Sequence, residues 1–138
     1  MASALFLFAI VGCGASDGLN RQAVSGQVLL GSEPLNGTIE FSPVATTGIA
    51  SGAMITNGEY TIPAEAGLPP GDYLVRITAA GDEKTPATMN DDAEEAPGEI
   101  ILVAKEKVPA AYNSESKEIR TVEADKLNQF DFAIPTSK

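Results

Sequence analysis

The sequence has no histidine, no tryptophan and a single cysteine among its 138 residues. Without histidine, the chain cannot form a Ser-His-Asp or Cys-His relay, nor a histidine-ligated zinc or copper site. One cysteine also excludes an internal disulfide and a thiolate metal cluster. These absences remove much of hydrolase and metalloenzyme chemistry, and we predict a protein that is not an enzyme and holds no cofactor.

Basic residues are scarce as well, with nine Lys and Arg against nineteen Asp and Glu and a net charge of −10. Binding of nucleic acid needs a basic surface that displaces counterions from phosphates, so no nucleic acid partner is expected. An anionic lipid surface would repel this chain, so charge alone would not hold it at a membrane. The hydrophobic content of 43% is enough for a folded core.

The apolar run at the amino terminus, residues 4–11 (ALFLFAIV), is shorter than the roughly 20 residues that span a bilayer. Its length is typical of the apolar centre of a secretory signal peptide. The following stretch, residues 10–13 (IVGC), resembles the lipobox of bacterial lipoproteins. That resemblance implies that residues 1–12 are a signal peptide and that Cys13 becomes a lipid-modified first residue. The start of the chain departs from the pattern, because residues 1–3 carry no Lys or Arg.

Lipid on Cys13 would supply the membrane attachment that an acidic domain lacks, since each buried CH₂ is worth about 0.8 kcal/mol. The polar residues that follow predict a flexible tether over residues 13–22 and a single domain over residues 23–135. The protein would then lie in the cell envelope, anchored to a bacterial membrane and facing the periplasm or the exterior. The alternative is that Cys13 is a small buried residue in an amino-terminal strand or helix.

Apolar and polar residues alternate with a period of two in most of the domain, which is the pattern of half-buried antiparallel strands. The pair Asn57 and Gly58 predicts a tight hairpin turn. Ile119 and Val122 have opposite parity, which predicts a β-bulge near Arg120. Short strands with turn signals between them predict an all-β sandwich. The alternating segments are residues 24–30, 38–42, 60–62, 73–78 and 130–134.

Four blocks, residues 24–44, 57–63, 68–77 and 108–134, resemble small bacterial lipoproteins with a carboxypeptidase-regulatory-like or transthyretin-like domain. The resemblance implies a Greek-key β-sandwich of about seven strands of the prealbumin type. None of the four blocks is a catalytic motif, and members of this family are usually surface or periplasmic proteins of undefined activity. A transthyretin-like hydrolase would work through histidines, which this chain lacks.

Residues 80–99 are predicted to form an acidic loop, with seven carboxylates against Lys84 alone. One interpretation is a solvated segment whose like charges repel. The other is a calcium site, because a hard cation prefers several carboxylate oxygens. The spacing of these acids does not follow the EF-hand pattern. The calcium candidates are Asp91, Asp92, Glu94 and Glu95.

The sequence therefore favours a non-enzymatic, membrane-anchored extracytoplasmic lipoprotein with a structural, adhesive or protein-interaction role. Its partners would be the membrane, through lipid on Cys13, and an envelope protein or a glycan. The alternative is a calcium- or carbohydrate-binding β-sandwich module. Two further residues are of interest: Tyr112 either lines a binding surface or packs at a strand corner, and Arg76 is expected to pair with a neighbouring carboxylate.

Overall fold

The computed structural model describes residues 17–86 and 102–136. This part of the chain is all-β, as predicted, with short 3-10 helices at Ala64–Ala66 and Ala110–Tyr112. In chain order the strands are β1 (Val24–Leu30), β2 (Glu33–Pro34), β3 (Gly37–Pro43), β4 (Ser51–Ile55), β5 (Glu59–Ile62), β6 (Gly71–Thr78), β7 (Ala80–Pro86), β8 (Leu102–Glu106), β9 (Ile119–Val122), β10 (Asn128–Gln129) and β11 (Phe132–Ile134).

The first sheet is built around β1. On one side of β1, β5 pairs antiparallel with its first half and β2 with its second half, and Val24 lies opposite Ile62. On the other side, β10 and β11 follow one another and run parallel to β1, with Val28 opposite Phe132. The first strand of the domain therefore lies beside the last strands.

The second sheet has the order β4-β3-β6-β9. Its central pair, β3 and β6, is antiparallel with Ile39 opposite Ile77. After Ala79 the chain continues as β7, which pairs with β8 in a separate two-stranded sheet that we call the β7–β8 hairpin. The first seven residues of the predicted acidic loop are therefore strand β7.

Both sheets contribute to one hydrophobic core. The apolar residues of the alternating segments point inward, which confirms the period-two interpretation of β1, β3, β5 and β6. Phe41 of the second sheet contacts Tyr60 of the first, with ring centroids 6.1 Å apart. The buried apolar residues are Val24, Val28, Leu35, Ile39, Phe41, Ile55, Tyr60, Ile62, Leu68, Tyr73, Val75, Ile77, Ala79, Val108, Val122, Phe132 and Ile134.

The predicted turn at Asn57 and Gly58 is confirmed. Both residues have positive φ, +51° and +77°, as a type I′ turn requires. The turn joins β4 of the second sheet to β5 of the first, so it also moves the chain between sheets. Residues 31–37 (GSEPLNG) are rich in turn-forming residues, and Leu35 within them is fully buried.

The predicted bulge near Arg120 is wrong. β9 pairs with β6 in unbroken register, with Arg120 opposite Tyr73 on the inner face and Ile119 exposed on the outer face. The inner position accepts an arginine because its guanidinium lies 4.7 Å from the centroid of the Phe132 ring and pairs with Glu118 at 3.0 Å. The opposite parity of Ile119 and Val122 therefore reflects an arginine that faces inward at the edge of the sheet.

Tyr60 makes stability sensitive to alkaline pH. Its hydroxyl donates to the Phe130 carbonyl at 2.8 Å, and burial, aided by the charge of Asp131, raises the pKa of Tyr60 well above the ordinary 10.0. Below pH 10 the hydroxyl stays protonated in the folded and the unfolded chain. Above it only the unfolded chain ionises, so the free energy of unfolding falls as pH rises, by about 1.4 kcal/mol at pH 11.

We expect Tyr60→Phe to remove this alkaline loss, because phenylalanine does not ionise. Urea unfolding of both proteins at pH 7 and pH 11 measures the difference, and Tyr112→Phe, which changes a half-buried tyrosine elsewhere, is the matched control. Equal alkaline losses in wild type and Tyr60→Phe would show that other groups dominate the titration.

Candidate functional site

The strands of the fold run between two ends. At the entry end, residues before β1 contact the segment before β6: Gln22 forms a β-bridge with Leu68, and Arg21 Nη1 donates to the Gly67 carbonyl at 3.1 Å. β6 starts beside this point, and its eight residues extend for about 26 Å to the opposite end, which we call the far end.

The chain is fixed at the entry end by polar contacts. The Arg21 guanidinium lies 2.6 Å from an Asp17 carboxylate oxygen, and this hydrogen bond, with one from the Leu19 amide, lowers the pKa of Asp17. Gln22 Oε1 also accepts the Asp125 amide. These contacts involve residues 17–22 of the predicted tether and set where the chain enters the domain.

The far end carries a groove of about 540 Å³ between the outer face of the second sheet and the β7–β8 hairpin. Strand register explains its floor. Thr38 lies opposite Met54 on one side and opposite Thr78 on the other, so the three side chains form a row across β4, β3 and β6. Met54 is 77% exposed although it is apolar. The main lining residues are Thr38, Met54, Thr78, Ala80, Ala104 and Glu106.

Glu106 fixes the hairpin wall of the groove. Its Oε1 accepts the amide of Ala79 at 2.8 Å and the amide of Val108 at 2.9 Å. Ala79 and Val108 are buried, so without Glu106 their amides would lose a charged acceptor. The carboxylate thus joins the base of β8 to the point where β6 becomes β7. Sequence reasoning did not single out Glu106, because nothing in its neighbourhood separates it from the other acids.

The groove presents mainly apolar groups and hydroxyls. Its surface offers the thioether of Met54, the methyl groups of Ala80 and Ala104, and the hydroxyls of Thr38 and Thr78. One oxygen of the Glu106 carboxylate is already engaged by two amides. Such a surface accommodates an apolar side chain and can hydrogen bond to a backbone beside it.

Of the residues singled out in the sequence, Arg76 and Tyr112 are described and do not line the groove. Cys13 and the calcium candidates, Asp91, Asp92, Glu94 and Glu95, lie outside the described residues. Within residues 17–86 and 102–136, no group of three or more His, Cys, Asp or Glu side chains is placed to hold a metal ion.

Arg76 and Tyr112 are both described. Arg76 is exposed and lies opposite Glu40, but over the described ranges it forms no ion pair, and Glu40 instead accepts the Ser42 hydroxyl at 2.8 Å. Tyr112 packs against the core, which supports the strand-corner interpretation over the binding-surface one. The tyrosines whose hydroxyls bond to backbone are Tyr60 and Tyr73.

No family model, curated protein or solved structure matches the chain. The described segments also contain no helix long and apolar enough to cross a membrane.

Proposed function

We propose that the protein is a lipid-anchored, non-enzymatic lipoprotein of the bacterial cell envelope whose domain acts in protein interaction. The observation that carries this proposal is the separation of two ends. Residues 17–22 join the fold at the entry end, and the groove with its exposed Met54 lies at the far end. A lipid on Cys13 would hold the entry end near the membrane and present the groove to a partner.

The domain proposed for this role is a Greek-key β-sandwich of the prealbumin type. Two observations support it: the two large sheets share one core, and in the second sheet β3 lies beside β6 rather than only beside its neighbours in sequence. The signal peptide proposed for residues 1–12 rests on its apolar centre and on the lipobox-like stretch before Cys13.

Charge favours this orientation. The net charge of −10 repels anionic headgroups, so the domain gains nothing by lying flat on a membrane surface. Attachment must then come from acyl chains, and more than one chain is needed for stable anchoring. A protein held only at its entry end leaves the outer face of the second sheet open to partners in solution.

The test is Cys13→Ala in a bacterial host fed radiolabelled palmitate. We expect the wild type to take up label and to sediment with membranes. Cys13→Ala should take up no label, and it should be released from the membrane pellet once its signal peptide is removed or the pellet is washed without detergent. Mass spectrometry of the wild-type amino terminus should show an acylated Cys13 as the first residue.

Ser16→Ala is the matched control, because it changes a small residue in the same stretch without touching the thiol. It should be labelled like the wild type. An intact chain that keeps Met1 and an unmodified Cys13 thiol would contradict the proposal.

A further inference from the structure

One edge of the second sheet lacks the features that usually prevent pairing with another chain. Among the described strands, β4 pairs with β3 on one side and ends the sheet on the other. Its first residue, Ser51, donates its hydroxyl to the Ala66 carbonyl at 2.6 Å, so the open part of the edge is residues 52–55. Its sequence, SGAMI, has no charged residue and no proline. Exposed edges are normally protected by charges, prolines, bulges or very short strands. The opposite edge, β9, carries Arg120, and β7 and β8 of the hairpin carry charged residues as well.

The chain around β4 is rich in acidic residues. From Gln22 to Val75 the chain has five carboxylates and no Lys or Arg. All five are exposed, and the ion pairs of the described residues use other acids. Arg76 of β6 lies opposite Glu40 on the side away from β4, and no other Lys or Arg lies opposite a residue of β3 in the strand register. On the side of Glu40 that faces β4 the acids therefore outnumber the cations. The five acids are Glu33, Glu40, Glu59, Glu65 and Asp72.

Two of these acids lie within reach of a strand added at β4. Glu40 is directly opposite Gly52, and because glycine has no side chain, nothing on β4 lies between that carboxylate and the free edge. Glu59 follows the turn after β4 and forms a β-bridge with Thr56. Both carboxylates are exposed, so cationic side chains on an added strand can approach them from solvent.

The groove adds an apolar contact to the same edge. Met54 borders it from β4, two residues from Gly52, so the two positions share the outer face of the strand. A chain paired with β4 would place one side chain over Gly52 and the next on that face beside Met54. The first position favours Lys or Arg and the second an apolar residue.

We propose that the free edge of β4 binds an extended basic segment of a partner protein, which adds as a fifth strand to the second sheet. Backbone hydrogen bonds to β4 supply much of the affinity, Glu40 and Glu59 attract the cations, and the groove beside Met54 holds an apolar side chain. The proposal rests on the proposed function only in treating the domain as an interaction module. A second copy is a poor occupant, because it brings the same carboxylates and a charge of −10.

The experiment uses the full chain in neutral phosphatidylcholine vesicles and a capped probe peptide that alternates threonine with, in turn, lysine and valine (KTVTKTVTK). Its acidic counterpart has glutamate in place of lysine. We expect the basic peptide to bind at least about tenfold more tightly and to slow amide hydrogen exchange in residues 51–55. Two further peptides carry N-methyl groups at either the odd-numbered or the even-numbered residues. One of the two should lose binding and the other should keep it, because only one edge of an added strand pairs with β4.

Two matched variants separate edge pairing from long-range attraction. Met54→Lys puts a cation on the β4 edge, whereas Ile119→Lys makes the same change of charge at an exposed position of β9, the other edge. Both positions are exposed, so both variants should fold. We expect Met54→Lys to weaken binding of the basic peptide about tenfold and Ile119→Lys to change it less than about twofold.

Three results would overturn the proposal. They are equal weakening of peptide binding by both variants, equal binding of the two N-methylated peptides, and slowed amide exchange in residues 51–55 through self-association without peptide. Peptide binding does not require the lipid, so Cys13→Ala held in neutral detergent should bind the probe like the wild type. A chain that binds the probe but is never acylated would contradict the proposed function and leave this inference standing.

Discussion

Replacing Phe41 with alanine is expected to lower the free energy of unfolding by about 3–5 kcal/mol. Phe41 is fully buried in β3, and its ring centroid lies 6.1 Å from that of Tyr60 and 6.2 Å from that of Phe130. It therefore joins the inner face of the second sheet to aromatic residues packed with the first. Because strands hold the backbone on both sides, the structure cannot collapse into the cavity left by the ring.

Urea unfolding followed by circular dichroism measures the loss. Met54→Ala, which shortens a side chain that is 77% exposed on the neighbouring strand, is the control and should change stability by less than about 0.5 kcal/mol. A loss below about 1 kcal/mol for Phe41→Ala would mean that the two sheets are not held together by this contact.

Replacing Gly26 with alanine is the second change with a large expected effect, a loss of about 3 kcal/mol or more. A Cβ atom at this position of β1 would lie 1.9 Å from the Phe130 carbonyl oxygen and 2.9 Å from the Tyr60 hydroxyl. These two groups are hydrogen bonded to each other. The obstacle is backbone rather than a flexible side chain, so the segment between β10 and β11 would have to move and that bond would break.

Thermal unfolding and urea titration of Gly26→Ala give the size of the effect, and Ser25→Ala, at the preceding residue of the same strand, is the control. The control keeps the Ser25 carbonyl, which accepts the Phe130 amide, and should stay close to wild type. Stability of Gly26→Ala within about 1 kcal/mol of the wild type would show that the carboxyl-terminal segment adapts without cost.

The strands with strict alternation could be predicted from the sequence because one face of each is buried. Tyr73, Val75 and Ile77 on β6 are all buried, as their spacing indicates. Arg120 could not be predicted in the same way, since its inward position depends on the Phe132 ring of the first sheet, which is close in space but distant from β6 and β9 in pairing. Local pattern predicts which residues face a core, but it does not show where that core meets solvent.

The groove was beyond sequence reasoning for a related reason. Thr38, Met54 and Ala104 are chemically ordinary and distant in the chain, and strand register and the β7–β8 hairpin alone bring them together. Glu106 is one acid among many until its two amide partners are known. The weakness of β4 as an edge likewise depends on sheet order, which the alternation of its residues does not specify.

The parallel pairing of β1 with β10 and β11 has a consequence for biogenesis. A ribosome makes β1 first and its partners on one side about a hundred residues later, so the first sheet cannot be completed until residues 128–134 have been synthesised. Contacts so distant in sequence form slowly. If the chain is exported as proposed, we expect this delay to keep it unfolded enough to pass through a translocation channel, with the first sheet completed after export.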